Sequence, residues 1–210
     1  MTERKSYHTD ICNCFYEPSR REKVKWNNNK LRYCKIVKRS SSINLIVIGN
    51  TPYENDFNGI AFCKDLWKDL LDPQCSGRYL LCALGIDLQK VQKTIKPVKL
   101  FMTLAKKGII FLNQKDKLLQ ESLSKNVGMV ITCGGNIRED IKKKISQVIG
   151  NKYKHLERHP SPQGETNPPD KNGNWFKCWG MHRNLLNILE PSGSGPIHTI
   201  INDINSKKHG

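Results

Sequence analysis

The sequence predicts an α/β domain in three layers, with a short parallel four-stranded sheet between helices, and three observations carry that expectation. Short continuous apolar runs recur, "INLIVIG" at 43–49, "GIIFLN" at 108–113 and "VGMVITCGG" at 127–135, and runs of this kind mark strands buried on both faces. Stretches with helical spacing lie between them. Gly108 and Gly150 stand where helices would stop in the left-handed conformation that glycine tolerates. Strands alternating with helices imply right-handed crossovers, and so a parallel sheet covered on both sides.

Residues 1–42 read as a basic N-terminal arm, either docked against the domain or mobile, because residues 1–43 hold eleven Lys/Arg against four Asp/Glu, with an Asn27–Asn29 run and no sustained period. The α/β domain is expected over 43–190. After the first strand, helical spacing covers about 62–72, 78–95 and 97–106. The second strand follows, then a helix near 116–125, the third strand, and a helix near 136–149. "KYKHLE" at 152–157 is a weaker, more exposed fourth strand, and a last helix is expected from about Trp175 to Leu189. Residues 191–210 are rich in Gly, Ser and Pro at first and polar afterwards, so they are expected to form a loosely attached, flexible tail.

A chain of 210 residues is the size of one ordinary domain and needs no disulfide or metal to bury a core. Lys+Arg 35 against Asp+Glu 19 leaves a net charge of +16, which makes a polyanion the first partner to consider, with acidic lipid surfaces second. No apolar stretch approaches the roughly 20 residues that span a bilayer, and Met1–Asp10 is polar, so neither a membrane helix nor a secretory signal is expected. A cytoplasmic or nucleoid-associated monomer is the expectation. The eight cysteines include no C-x-x-C pair, which points to free thiols. His8, Cys12, Cys14 and Cys34 cluster in sequence but lack the spacing of a zinc turn. No metal and no cofactor are expected.

Ligands of open parallel sheets bind beyond the carboxyl ends of the strands, and three turns fall there: "GNTPYENDFNGIAF" (49–62), "FLNQ" (111–114) and "ERHPSPQ" (157–163). Pro52 stiffens the first, where Tyr53 and Phe62 offer flat apolar surfaces to a ring. The Asn113 amide presents an acceptor and two donors, enough to read the edge of a pyrimidine. His159, between prolines, can donate to a ring oxygen that gains negative charge, and Ser161 can take a phosphate. Singly, each has an ordinary reading as a core or loop residue.

In their order along the chain, these motifs resemble the uracil-DNA glycosylase superfamily over roughly residues 43–190: "GNTPY", then "GIAF", then "LAKKGIIFLN", then "HPSP". The resemblance implies a short parallel sheet flanked by helices, no cofactor, and hydrolysis of the N-glycosidic bond of a base flipped out of DNA. It implies that Tyr53 screens the 5-position of the ring, Phe62 stacks on it, Asn113 reads it and His159 stabilises the departing base anion. Asn50 and Thr51 fall in the catalytic turn, and Arg158, Ser161 and Gln163 fall in or beside the DNA-facing loop. Lys154 approaches the same loop, with Lys152 and the run Lys142–Lys144 nearby.

The chain departs from that pattern in three places, one being that its cysteines do not show the four-ligand set of the family's iron-sulfur branch, so no cluster is expected. Thr51 stands where the uracil-specific branch carries the Asp that positions the attacking water. Glu54 and Asp56 follow closely, and Glu54 is the better replacement, since it adjoins Tyr53. Gln163 and Gly164 stand where that branch has an apolar wedge, so the substrate is expected to be single-stranded, distorted, or a modified pyrimidine such as a substituted cytosine. A catalytically silent DNA- or base-binding module is the alternative that Thr51 favours. A nucleotide-binding α/β protein fits poorly, because no strand leads into a Gly-rich phosphate loop.

Overall fold

Residues 28–50, 59–156 and 185–206 are described by the computed structural model of the chain. In order, they form α1 (Asn28–Arg39), β1 (Ser42–Gly49), α2 (Trp67–Leu70), α3 (Ser76–Ala83), α4 (Leu88–Val91), α5 (Pro97–Lys106), β2 (Ile109–Asn113), α6 (Leu118–Leu123), β3 (Asn126–Cys133), α7 (Glu139–Ile149), β4 (Tyr153–Leu156), α8 (Leu185–Leu189) and α9 (Pro196–Ser206).

The four strands make one all-parallel sheet in the order β2-β1-β3-β4, the α/β architecture that the apolar runs predict. The last five residues of β1 and all five of β2 are buried, as strands covered on both faces must be. The chain steps from β1 to β2 in one direction, then from β2 past β1 to β3 and β4 in the other. With right-handed crossovers, α2–α5 therefore lie on one face and α6 and α7 on the opposite one.

Helix boundaries follow local chemistry. The expected helix at 78–95 is two short helices, because Gly85 turns the chain at φ 81 and Asp87 then caps α4 by accepting from the Lys90 N–H at 3.1 Å. α5 begins with Pro at its first turn and ends at Gly108, φ 86. There a Cβ would fall 2.9 Å from the Asn44 side chain, so glycine is required where helix and sheet meet. Asn44 donates from Nδ2 to the Lys107 carbonyl at 3.0 Å. The expected helix at 62–72 shortens to Trp67–Leu70. Of the helix expected at 175–189, the described part runs over Leu185–Leu189.

At the N-terminal end the docking alternative is what the structure shows, and at the C-terminal end the assignment changes. Residues 28–39 of the expected basic arm form a docked helix: Tyr33, Cys34 and Val37 are buried in the core, and α1 packs on α5 and α6. Its Tyr33 hydroxyl accepts the Phe111 N–H at 2.8 Å and donates to the Phe111 carbonyl at 3.2 Å. β2 is an edge strand, and this one hydroxyl satisfies both groups of its central residue. The expected flexible tail contains α9, whose Ile197, Ile201 and Ile204 are buried. The Glu190 carboxylate accepts the N–H groups of Ile197 (2.8 Å) and His198 (2.7 Å) at its start. Asn205 accepts the Asp87 N–H at 2.9 Å and donates to the Gly85 carbonyl at 2.8 Å. Among the described residues, no helix is long and apolar enough to cross a membrane.

Candidate functional site

The carboxyl ends of all four strands are level. Gly49 pairs with Asn113, Ile48 with Thr132, and Cys133 with Leu156, so Asn113, Gly49, Cys133 and Leu156 line one rim. The segments after Asn50 and after Leu156 leave that rim two strands apart, about 10 Å at the usual strand spacing.

Asn113 ends β2 with its side chain 1 % exposed. Its N–H donates to the Asp116 carboxylate at 2.7 Å, and its carbonyl accepts the Asp116 N–H at 2.9 Å, a closed turn that fixes the strand end. The Nδ2 amide has no hydrogen-bond partner among the described residues. Burying such a donor unpaired costs about 1–3 kcal/mol, so this site holds in reserve a hydrogen bond that a ligand can make.

Phe62 packs against Gly49, the β1 partner of Asn113. A Cβ built on Gly49 would stand 2.8 Å from the Phe62 ring at Cζ, which places the ring against the end of β1. The ring meets Phe111 edge-on, centroids 6.5 Å apart at 72°. Phe62 is 6 % exposed and, among the described residues, is the one non-glycine with positive φ, 64°. A bulky residue there stores about 1–3 kcal/mol of strain, and such strain clusters at functional sites. Gly77, at the start of α3, makes it possible: a Cβ there would fall 1.9 Å from the Phe62 carbonyl oxygen.

Gln114 binds the rim together, a role that sequence reasoning missed. Its N–H donates to the Gly49 carbonyl at 2.8 Å. Its side-chain amide donates to Asn50 Oδ1 and, at 3.2 Å, to the Asn136 carbonyl, while Oε1 accepts the Arg138 N–H at 2.9 Å. One buried side chain thus ties together the ends of β1, β2 and β3. Asp116 was missed as well. Gln114 directly follows the strand-ending Asn and Asp116 lies three residues after it, and that position was their only signal.

The described residues thus bring Phe62, Asn113 and Asn50 together around Gly49. Thr51, Tyr53, Glu54 and Asp56, and likewise Arg158, His159, Ser161 and Gln163, lie outside the described residues. Lys154 donates to the Ile188 carbonyl at 2.9 Å, a tie between β4 and α8 rather than a side chain held out toward a ligand. Other bases expected near the loop are engaged too: Lys142 with Glu139 at 2.6 Å, Lys144 with Gln120 at 2.8 Å, and Lys152 with the Val127 carbonyl at 3.5 Å.

Cys133 also stands on the rim, but burial pushes its thiol up to about 12, so it is no nucleophile at neutral pH. Cys34 is buried in the core, while His8, Cys12 and Cys14 lie outside the described residues. A cavity of about 510 Å³ between α6 and α7 is lined by Gln114, Asp116, Leu119, Ile141 and Ile145 among others. Neither Phe62 nor Asn113 lines it, but Gln114 and Asp116 do, so the cavity adjoins the rim from the α6–α7 side. A flat apolar ring beside an unpaired planar amide can hold a planar heterocycle by stacking and by its polar edge. No protein-family model matches the chain, and neither a curated protein nor a solved structure does.

Proposed function

We propose that the protein is a monofunctional DNA glycosylase that flips uracil or a modified pyrimidine out of DNA and hydrolyses its N-glycosidic bond, leaving an abasic site. The observation that carries this reading is the buried, unpaired Asn113 amide beside the strained Phe62 ring, at the rim where open parallel sheets bind ligands. The four ordered motifs add to it.

In this reading Phe62 stacks on the flipped base and Asn113 pairs with its edge. As the bond breaks, negative charge grows on the base and positive charge on the sugar, so a donor at the base oxygen acts mainly in the transition state. His159 has that role, and Glu54, with Asp56 second, orients the water in place of the acid that Thr51 does not supply. Gln114 acts through others, holding Asn50 and the β3 turn in position.

The test is a panel of oligonucleotides carrying uracil, mismatched thymine and substituted cytosines, incubated with the protein and then cleaved at abasic sites with alkali. Strand breaks that disappear in His159→Ala are expected. A second reading, a silent base-binding module, is favoured by Thr51. It predicts salt-sensitive binding without breaks on any substrate. If Glu54→Gln and Asp56→Asn both retain full activity, the assignment of the water-orienting acid is wrong.

A further inference from the structure

We infer that the face formed by α1 and α5, over the β2 edge of the sheet, is a second nucleic-acid surface that tracks the phosphate backbone away from the base site. It rests on the glycosylase reading only in naming DNA as the polymer.

The charge is one-sided. No Asp or Glu occurs between Glu22 and Glu54, or between Asp87 and Asp116, the intervals that contain α1 and α5. α5 buries Val98, Leu100, Phe101, Met102, Leu104 and Ala105, and its exposed positions are Lys99 and Lys106. Lys93 and Lys96 continue that strip before the helix, and Arg32 and Lys35 are exposed on α1, which packs beside it. None of these six side chains has an ion-pair partner among the described residues. The bases of the β4 side, by contrast, are spent on internal contacts.

The placement runs against helix electrostatics. Lys96 is the N-cap of α5 and Lys99 lies in its first turn, with no acid there, although helix N-termini favour negative charge. Cations stacked on a positive helix end repel one another until an anion joins them. The strip also points at the rim. Lys107, at the far end of α5, is bonded to Asn44 near the start of β1, so the N-terminus of α5 lies toward the strands' carboxyl ends. From Lys96 to Lys106 the helix extends about 15 Å, a length that spans several phosphates of one strand.

A phosphate polymer fits this face better than a bilayer. Among the described residues the exposed large hydrophobics are Leu66 and Val148, neither on α1 nor on α5. The face therefore offers no fully exposed large apolar residue to bury in lipid, as peripheral membrane helices do.

The experiment measures the dissociation constant for an undamaged single-stranded and an undamaged duplex oligonucleotide across a salt series. It compares the wild type with Lys96→Gln/Lys99→Gln/Lys106→Gln, with Arg32→Gln/Lys35→Gln, and with Lys142→Gln/Lys143→Gln/Lys144→Gln as a control of equal charge loss. The α5 variant is expected to bind about tenfold or more weakly at moderate salt, with its salt slope reduced by about 2 to 3. The α1 pair should shift both in the same direction, and the control should do so less. Wild-type affinity and slope in the α5 and α1 variants, or an equal loss in the control, would overturn the inference. Wild-type protein that binds acidic vesicles but no oligonucleotide would overturn it as well. Binding that depends on α5, without abasic sites from any substrate, would leave this surface standing and remove the glycosylase reading.

Discussion

At the scale of single residues, Asn113 and Phe62 both trade stability for readiness. A donor buried without a partner costs about 1–3 kcal/mol, and an apolar replacement of similar shape removes that cost. Asn113→Leu is therefore expected to unfold in urea at the wild-type midpoint or above it, which separates a functional amide from a structural one. A clear loss of stability would mean that the amide has a structural partner. Phe62 depends on Gly77: in Gly77→Ala the new methyl meets backbone at 1.9 Å rather than the flexible tip of a side chain. A loss of about 1–3 kcal/mol is expected, seen as a lower urea midpoint, together with weaker base excision as the Phe62 ring is displaced.

Cys133 makes the same point with a proton. Burial holds its thiol at about 12, against 9.0 unperturbed. Between those values the unfolded chain gives up the proton while the folded chain keeps it, so the unfolded state is favoured as pH rises. Stability is unaffected by this thiol below pH 9. Above that it falls by about 1.4 kcal/mol per pH unit until the folded-state thiol also ionises. Cys82 and Tyr33, also pushed up by burial, add to the fall in the same range, so in urea titrations from pH 8 to 11 Cys133→Ala should lessen the slope by about 1.4 kcal/mol per pH unit without abolishing it.

At the scale of elements, the edge of β2 is a liability that α1 covers in place of a fifth strand. The Tyr33 hydroxyl makes two hydrogen bonds to Phe111. Tyr33→Phe leaves a buried N–H without a partner and is expected to cost about 1–3 kcal/mol. It should also raise the tendency to associate through the bared edge, which sedimentation would detect as mass above the monomer or as aggregation. A variant with wild-type stability and mass would mean that α1 covers the edge by packing alone.

Element types were more legible than their ends. The continuous apolar runs placed three strands within about two residues, because two-sided burial leaves an unmistakable pattern. α1 was not legible: its inward residues Tyr33, Cys34 and Val37 are few, and the bases around them resemble a solvated arm. α9 was hidden by the Gly/Ser-rich stretch before it, although Ile197, Ile201 and Ile204 follow helical spacing. Of the site, Phe62 and Asn113 could be picked out by residue type and order. The Gln114 bridge could not, because its partners Asn50, Asn136 and Arg138 are distant in sequence and only the strand order brings them together.

At the scale of the whole molecule, the +16 charge is not spread evenly. Ion pairs and carbonyl contacts occupy several bases near β4, whereas Arg32 and Lys35 of α1 and Lys99 and Lys106 of α5 are exposed without an ion-pair partner among the described residues. A molecule charged in this way would meet DNA first through long-range attraction and hold it by the α1–α5 face, then commit a base to the rim. Low salt should therefore speed association far more than it speeds excision by the bound enzyme, since screening acts on exposed charges and much less on a buried site.

The central claim is that the amide at the end of β2 reads a flipped base. The direct measurement is the single-turnover rate of abasic-site formation by Asn113→Leu beside wild type, on the best substrate of the panel. A fall of about 10² or more is expected, in a protein that remains folded. Wild-type rates from Asn113→Leu, or no abasic sites from the wild type on any substrate, would contradict it.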